Sequence, residues 1–182
     1  MTDNTTTWPG DLTPEARSER MIRVDHAGEY GAARIYAGQL AVLGRGDKGD
    51  LLRQMEAQEH EHLRTFNTLV TRRRVRPTLM LPFWHVAGFA LGAVTAALGE
   101  KAAMACTVAV EEAIDAHYAG QIGTIDPAEG DLRTTLEKFR ADELEHRDIG
   151  LAHGAEQAPG YRLLSGLIKA GCRAAIAISE RI

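Results

Sequence analysis

Glu59-His60-Glu61-His62 and Glu143-Leu144-Glu145-His146 are the same word, E-x-E-H, written twice 84 residues apart. Residues 29–39, EYGAARIYAGQ, and 111–121, EEAIDAHYAGQ, precede them. In each stretch a Glu stands seven residues before Tyr-Ala-Gly-Gln, as Glu29 before Tyr36 and Glu111 before Tyr118. Glu29 lies 30 residues before Glu59, and Glu111 lies 32 before Glu143. The chain therefore carries one helix-pair unit twice, with Glu on the first helix and E-x-E-H on the second. A repeat of this kind is read before any single motif.

The repeat sorts the acids. Glu56 aligns with Arg140 and His60 with Leu144, so neither persists in both copies. Residues three apart on a helix share a face, whereas i+2 points elsewhere. Glu59 with His62, and Glu143 with His146, converge on one point; Glu61 and Glu145 are expected in solvent or in an outer role. Glu111 is preferred to Glu112 because it aligns with Glu29.

Four carboxylates and two imidazoles, Glu29, Glu59, His62, Glu111, Glu143 and His146, are costly to bury as free groups. Two divalent ions bring four positive charges against four negative ones. The set matches the donor pattern of ferritin-like di-iron and di-manganese bundles, a Glu from each of two helices and Glu-x-x-His from each of the other two. A zinc site of the H-E-x-x-H type fails, because Arg64 stands where its second His belongs. The oxygen-rich set suits iron or manganese better than a metal preferring soft ligands.

The rest of the chain agrees with an all-α bundle. Of its 182 residues, 45 % are hydrophobic, 25 % charged and 5 % aromatic, and the net charge is −4. Nothing points to nucleic acid. No alternation of period two appears, so no strands are predicted. Residues 1–12 read as a flexible tail with neither a secretory signal nor a transit peptide, followed by one domain over 13–182. Helices are predicted near 14–44, starting at Thr13-Pro14, near 48–75, 83–124, 131–153 and 161–180, the third open to division into two pieces at a bend at Gly99-Glu100. Cys106 and Cys172 stand in apolar surroundings without a C-x-x-C motif, and both are expected to be buried structural thiols.

Two segments look outward. Residues 78–99 run without a formal charge directly behind Arg72–Arg76. Length alone allows a transmembrane span. The small residues, and the continuation into a metal-bearing helix, favour an interfacial segment, its arginines facing anionic headgroups. In 161–180, Arg162, Lys169, Arg173 and Glu180 fall within about 40° of a helical wheel, and the remaining perimeter is mostly apolar. Such a helix wants a core, a membrane surface or a partner.

RVDHAGEYGAARIYAGQ (23–39), QEHEHLRTF (58–66), ACTVAVEEAIDAHY (105–118) and ADELEHRDIGL (141–151), with the C-terminal AGCRAAIAISERI, closely resemble the demethoxyubiquinone hydroxylase family. The likeness runs over about 18–182. It implies a ferritin-like di-iron monooxygenase that uses dioxygen to hydroxylate the ring of a polyprenylated demethoxy-benzoquinol. By resemblance the iron ligands are Glu29, Glu59, His62, Glu111, Glu143 and His146, with Glu59 and Glu143 bridging. His117 and Tyr118 match positions near the quinone ring. Tyr36, the repeat mate of Tyr118, is given no chemistry. Asp25, one turn before Glu29, is expected to orient a ligand imidazole. The implied partners are the polyprenyl quinol, a membrane surface, and a lipid-binding protein of ubiquinone biosynthesis or a second copy of the chain. The implied place is peripheral, on the cytoplasmic face of a bacterial membrane, or on the matrix side of the inner membrane in a processed mitochondrial form. No nucleotide-binding fingerprint is present, and the electron donor stays open. The alternatives are a ferroxidase or iron-storage bundle, a di-metal peroxidase, and a non-catalytic lipid-binding bundle.

Overall fold

The computed structural model describes residues 12–45 and 47–182, and these form helices without strands. The expected tail falls almost wholly outside the described residues. The elements are α1 (Pro14–Leu43), α2 (Asp47–Arg73), α3 (Leu81–Ala97), α4 (Glu100–Thr124), α5 (Gly130–Ala152), a 3-10 turn (Ala155–Gln157) and α6 (Tyr161–Ser179). The fold is a ferritin-like four-helix bundle of α1, α2, α4 and α5, with α3 laid on α1 and α6 on α4.

Local chemistry sets the helix ends. Thr13 caps α1, its Oγ1 accepting from the Ala16 N–H at 3.2 Å, and Pro14 opens the first turn. The helix expected over 83–124, with a division open at Gly99-Glu100, is two, α3 and α4. Gly99, at φ 112°, turns the chain between them. That backbone region is open to glycine and strained for a residue with a Cβ.

The bundle is layered. At one end Met21, Ile22, Phe66, Leu132, Leu136 and Phe139 form an apolar cluster. At the other, Tyr36, Leu52, Met55, Met104 and Val108 form a second. The acid and imidazole residues of α1, α2, α4 and α5 lie between these two plugs. Each helix thus places its polar turn at the same height, as the repeat requires.

The outer helix α3 approaches α1 through glycines. A Cβ on Gly92 would stand 1.9 Å from the Ile35 carbonyl oxygen, and one on Gly38 would stand 2.1 Å from that of Phe89. Gly120 occupies the place of Gly38 in the second Tyr-Ala-Gly-Gln, yet a Cβ there meets nothing within 4 Å. The two identical words therefore predict opposite substitutions. Gly120→Ala should stabilise the protein by about 0.4–1 kcal/mol, because it cuts the freedom of the unfolded chain. Gly38→Ala must push α3 off α1 and should destabilise by about 1–3 kcal/mol. Urea unfolding of the two variants checks the pair.

Candidate metal centre

Glu29, Glu59, His62, Glu111, Glu143 and His146 are each exposed by 1 % or less, at the centre of the bundle. The six fall into two overlapping groups. Glu29, Glu59, His62 and Glu143 offer atoms within 4.8 Å of one another, and so do Glu59, Glu111, Glu143 and His146. Glu59 and Glu143 belong to both. The i, i+3 spacing on α2 and α5 turns each Glu and its His to the same point.

The unpartnered atoms show how the residues fit a metal. Both oxygens of Glu59, both of Glu143, Oε2 of Glu29, Oε2 of Glu111, and Nδ1 of His62 and of His146 are buried without a hydrogen bond. His62 Nδ1 stands 3.4 Å from Glu29 Oε2 and 3.2 Å from Glu143 Oε1. His146 Nδ1 stands 3.0 Å from Glu59 Oε1 and 3.6 Å from Glu143 Oε2. These lone pairs face a common centre instead of bonding one another. Left empty, such a cluster costs the full desolvation of each group. Two divalent cations satisfy all eight atoms and balance the four carboxylates.

The electrostatics agree. Burial lifts the carboxyls of Glu59 and Glu111 well above their ordinary value of 4.5, and their carboxylate neighbours, Glu143 foremost, push them further. Glu29 is raised for the same reasons, against the nearby His62 imidazole and the hydrogen bond from Tyr118. Glu143 is held down to about 2: burial opposes ionisation there, but the close approach of His146, His62 and Glu111 outweighs it. Burial works against the charged form of His62, yet Glu143 and Glu29 raise it to about 11. Without a cation the cluster holds protons where a metal would sit.

The outer contacts follow the repeat. His62 Nε2 donates to Asp142 Oδ2 at 3.0 Å, and His146 Nε2 donates to Gln58 Oε1 at 2.9 Å. Gln58 and Asp142 each stand one residue before the Glu of an E-x-x-H, and each orients the imidazole of the other copy. With Nε2 donating, Nδ1 keeps its lone pair for the centre. Tyr118 O–H donates to Glu29 Oε1 in a short bond, and Tyr36 O–H donates to Glu111 Oε1 at 2.8 Å. Each tyrosine again serves the other copy's glutamate.

These pairs correct two expectations and extend a third. Asp25 does not orient a clustered imidazole; its Oδ1 accepts from His117 Nε2 at 3.1 Å and from Gln121 Nε2 at 2.8 Å. Asp25 lies on the α4 side of α1, away from α2 and α5. Cys106 is buried as expected, whereas Cys172 is only partly buried and lines a cavity. Tyr36, given no chemistry, holds a carboxylate of the cluster. The sequence signal for it, and for Gln58 and Asp142, was the repeat itself. Glu61 and Glu145 point to solvent, and Glu112 pairs with Lys169 of α6.

Asp142→Leu and Gln58→Leu should each weaken metal affinity by about 10–100-fold while the ligand atoms stay in place. Competitive chelator titration of the purified variants measures it.

Beside the cluster lies an apolar cavity of about 460 Å³, walled by α1, α3, α4 and α6. Gly28, Gly31, Ala32, Val110 and Ile114 are among its lining residues, each within three positions of Glu29 or Glu111. Small residues on α1 and a break after α3 leave this space, which is of a size to hold a small ring.

A helical bundle with paired Glu-x-x-His units and two further glutamates defines the class of ferritin-like carboxylate proteins. Residues 16–179 match the model of the ubiquinone biosynthesis protein COQ7 family, and the chain belongs to that family. It is 61 % identical over 175 residues to the 3-demethoxyubiquinol 3-hydroxylase of Rhodospirillum rubrum, covering 96 % of this chain and 82 % of that protein. It is 56 % identical over 176 residues to the human mitochondrial NADPH-dependent 3-demethoxyubiquinone 3-hydroxylase, covering 94 % and 81 %. The mitochondrial 5-demethoxyubiquinone hydroxylase of Saccharomyces cerevisiae is 44 % identical over 181 residues, covering 90 % and 78 %.

Proposed function

We propose that this chain is a hydroxylase of ubiquinone biosynthesis that uses two iron ions and dioxygen to place one hydroxyl on the ring of a polyprenylated demethoxy-benzoquinol. The observation that carries the reading is the buried Glu/His cluster, with its unpartnered atoms, set against an apolar cavity. Glu29, Glu59, His62 and Glu143 would hold one iron; Glu59, Glu111, Glu143 and His146 would hold the other. The bound irons would supply the redox chemistry that divides dioxygen between the ring and water.

The protein's own groups do the rest. The cavity takes the ring out of water and orients it beside Glu29 and Glu111. Tyr118 fixes Glu29, and Tyr36 fixes Glu111, so neither carboxylate swings freely. Asp25 accepts from His117 Nε2 and from Gln121, which fixes the partly exposed His117 ring beside Tyr118. The net reaction inserts one oxygen atom into a ring C–H bond and makes one water, consuming two electrons and two protons. The human relative is named NADPH-dependent, which makes a reduced nicotinamide the first donor to test here.

A membrane surface belongs to this reading. Among the described residues no helix is long and apolar enough to cross a membrane. Nevertheless Leu79, Phe83, Val86 and Leu98 around α3, and Leu163 and Leu167 on α6, stand exposed on the side of the bundle that carries the cavity. Apolar side chains flanked by arginines suit an interfacial seat. The protein should sediment with anionic vesicles and come off in high salt, where headgroup attraction is screened.

The deciding experiment supplies ferrous iron, reductant, dioxygen and a prenylated demethoxyquinol. The product should be heavier by one oxygen atom, and labelled dioxygen, not labelled water, should furnish it. Oxidation of ferrous iron with the quinol left intact would restore the ferroxidase alternative.

A further inference from the structure

The cavity has two side walls whose backbones stay apart. α3 packs on α1 and α6 packs on α4, but no Cα of α3 lies within 8 Å of any Cα of α6. Between the two helices runs a slot. Leu167 and Gly171 line the cavity and are at the same time exposed, Leu167 by 64 %, so the slot is open beside them. At the far end one polar contact crosses it. The Trp84 indole N–H donates to Ser179 Oγ at 3.1 Å. Both residues line the cavity, and Ser179 is buried.

The bond joins the first turn of α3 to the last turn of α6. With Gly88 packed on Gly31 and His85 bonded to Tyr30, α3 runs along α1 in a register that sets Trp84 near Ala27 and Gly28, at the Glu29 side of the cavity. The Trp84 ring also meets Phe83 edge-on with centroids 5.0 Å apart. A cavity of this volume takes the ring and the first part of its chain, and a polyprenyl tail must leave through the slot. With the bond closed, the slot is bridged at the Glu29 side of the cavity.

We propose that the Trp84–Ser179 hydrogen bond is a latch across the substrate slot, and that it must open for a ring bearing a prenyl chain to slide sideways to the Glu29 side of the cavity. The proposal rests on the hydroxylase reading for its ligand. Trp84 and Ser179 act on entry and seating, not on the oxygen chemistry. A ring without a tail passes through the open part of the slot and is indifferent to the latch.

Association of a farnesylated benzoquinone and of its methyl counterpart with the metal-loaded protein tests this, followed in stopped flow through the absorbance of the quinone itself. Ser179→Ala removes the acceptor, and Trp84→Phe removes the donor while keeping an aromatic ring. Each should speed association of the farnesylated ligand by roughly fivefold, the weight of one neutral hydrogen bond. The methyl ligand should change less than about twofold in both. Tyr30→Phe cuts the 2.6 Å bond from Tyr30 to His85, which ties α3 to α1 without crossing the slot, and should change neither rate. Unaltered farnesyl rates in both latch variants, or equal acceleration of both ligands, would overturn the latch and leave the hydroxylase reading standing. Failure of both quinones to bind the wild-type protein would overturn the two together.

Discussion

Glu111→Ala should lose stoichiometric binding of two irons and all measurable turnover, whereas its neighbour Glu112→Ala should keep both. Removing one of four buried carboxylates leaves positive charge uncompensated in a dry site. Breaking a buried ionic partnership costs about 3–5 kcal/mol, or roughly 10²–10⁴-fold in affinity. Glu111 is buried at the centre with one oxygen unpartnered and the other held by Tyr36. Glu112 faces α6 and pairs with Lys169, a partly exposed contact worth little. Iron content and turnover of the two purified variants decide the matter. Loss of iron in Glu112→Ala with retention in Glu111→Ala would mean that α4 is turned by one residue and presents Glu112 to the cluster.

That adjacent pair also shows what the sequence could carry. Periodicity alone makes Glu111 and Glu112 equal, since both sit on one amphipathic helix. The repeat separates them, because only one register aligns with Glu29. The same register gives the four helices, their order and the common height of the polar layer. It fails where the two copies cooperate. Tyr36 and Tyr118 occupy matching positions, yet each serves the glutamate of the other copy, a cross-pairing that appears only when the copies face one another. Asp25 illustrates the same limit. One turn from Glu29 it looks close to the cluster, but its side chain leaves α1 toward α4 and meets His117. Its counterpart in the second copy, Thr107, receives Gln39 as Asp25 receives Gln121.

The break between α3 and α4 was legible in its place, at Gly99-Glu100, while the sequence left open whether the helix divides there. A lone Gly-Glu pair inside an apolar run is weak punctuation, and tertiary contacts decide. The glycines at 88 and 92 let α3 settle against α1 so closely that it cannot continue straight into α4. The cavity, made by that displacement, left no trace in any single segment.

The other large expected effect concerns protons. Loading the protein with two ferrous ions under anaerobic conditions should raise its unfolding temperature by about 10 °C or more, and the increment should grow from pH 6 to pH 8. A ligand at a thousand times its Kd adds about 4 kcal/mol per site. For a chain of this length each kcal/mol is worth about 2–4 °C. The pH trend follows from the direction of each shift. Glu29, Glu59 and Glu111 have their folded values raised by burial. Their contribution to the metal-free protein is full below the ordinary 4.5 and is lost as pH rises through the raised values. His62, raised to about 11, contributes fully below 6.5 and loses that contribution as pH climbs toward 11. Glu143 runs the other way: its stabilising share is present above 4.5 and disappears only as pH falls through about 2, outside this window. Between pH 6 and 8 the metal-free protein therefore weakens as pH rises. The metal-loaded protein has already given up those protons, so it lacks this source of weakening. Calorimetry of both forms across the window measures the gap, and a pH electrode in weakly buffered solution should register proton release when the metal is added. A gap that narrows with pH, or metal uptake without proton release, would mean that the carboxyls of the cluster are not the groups the metal displaces.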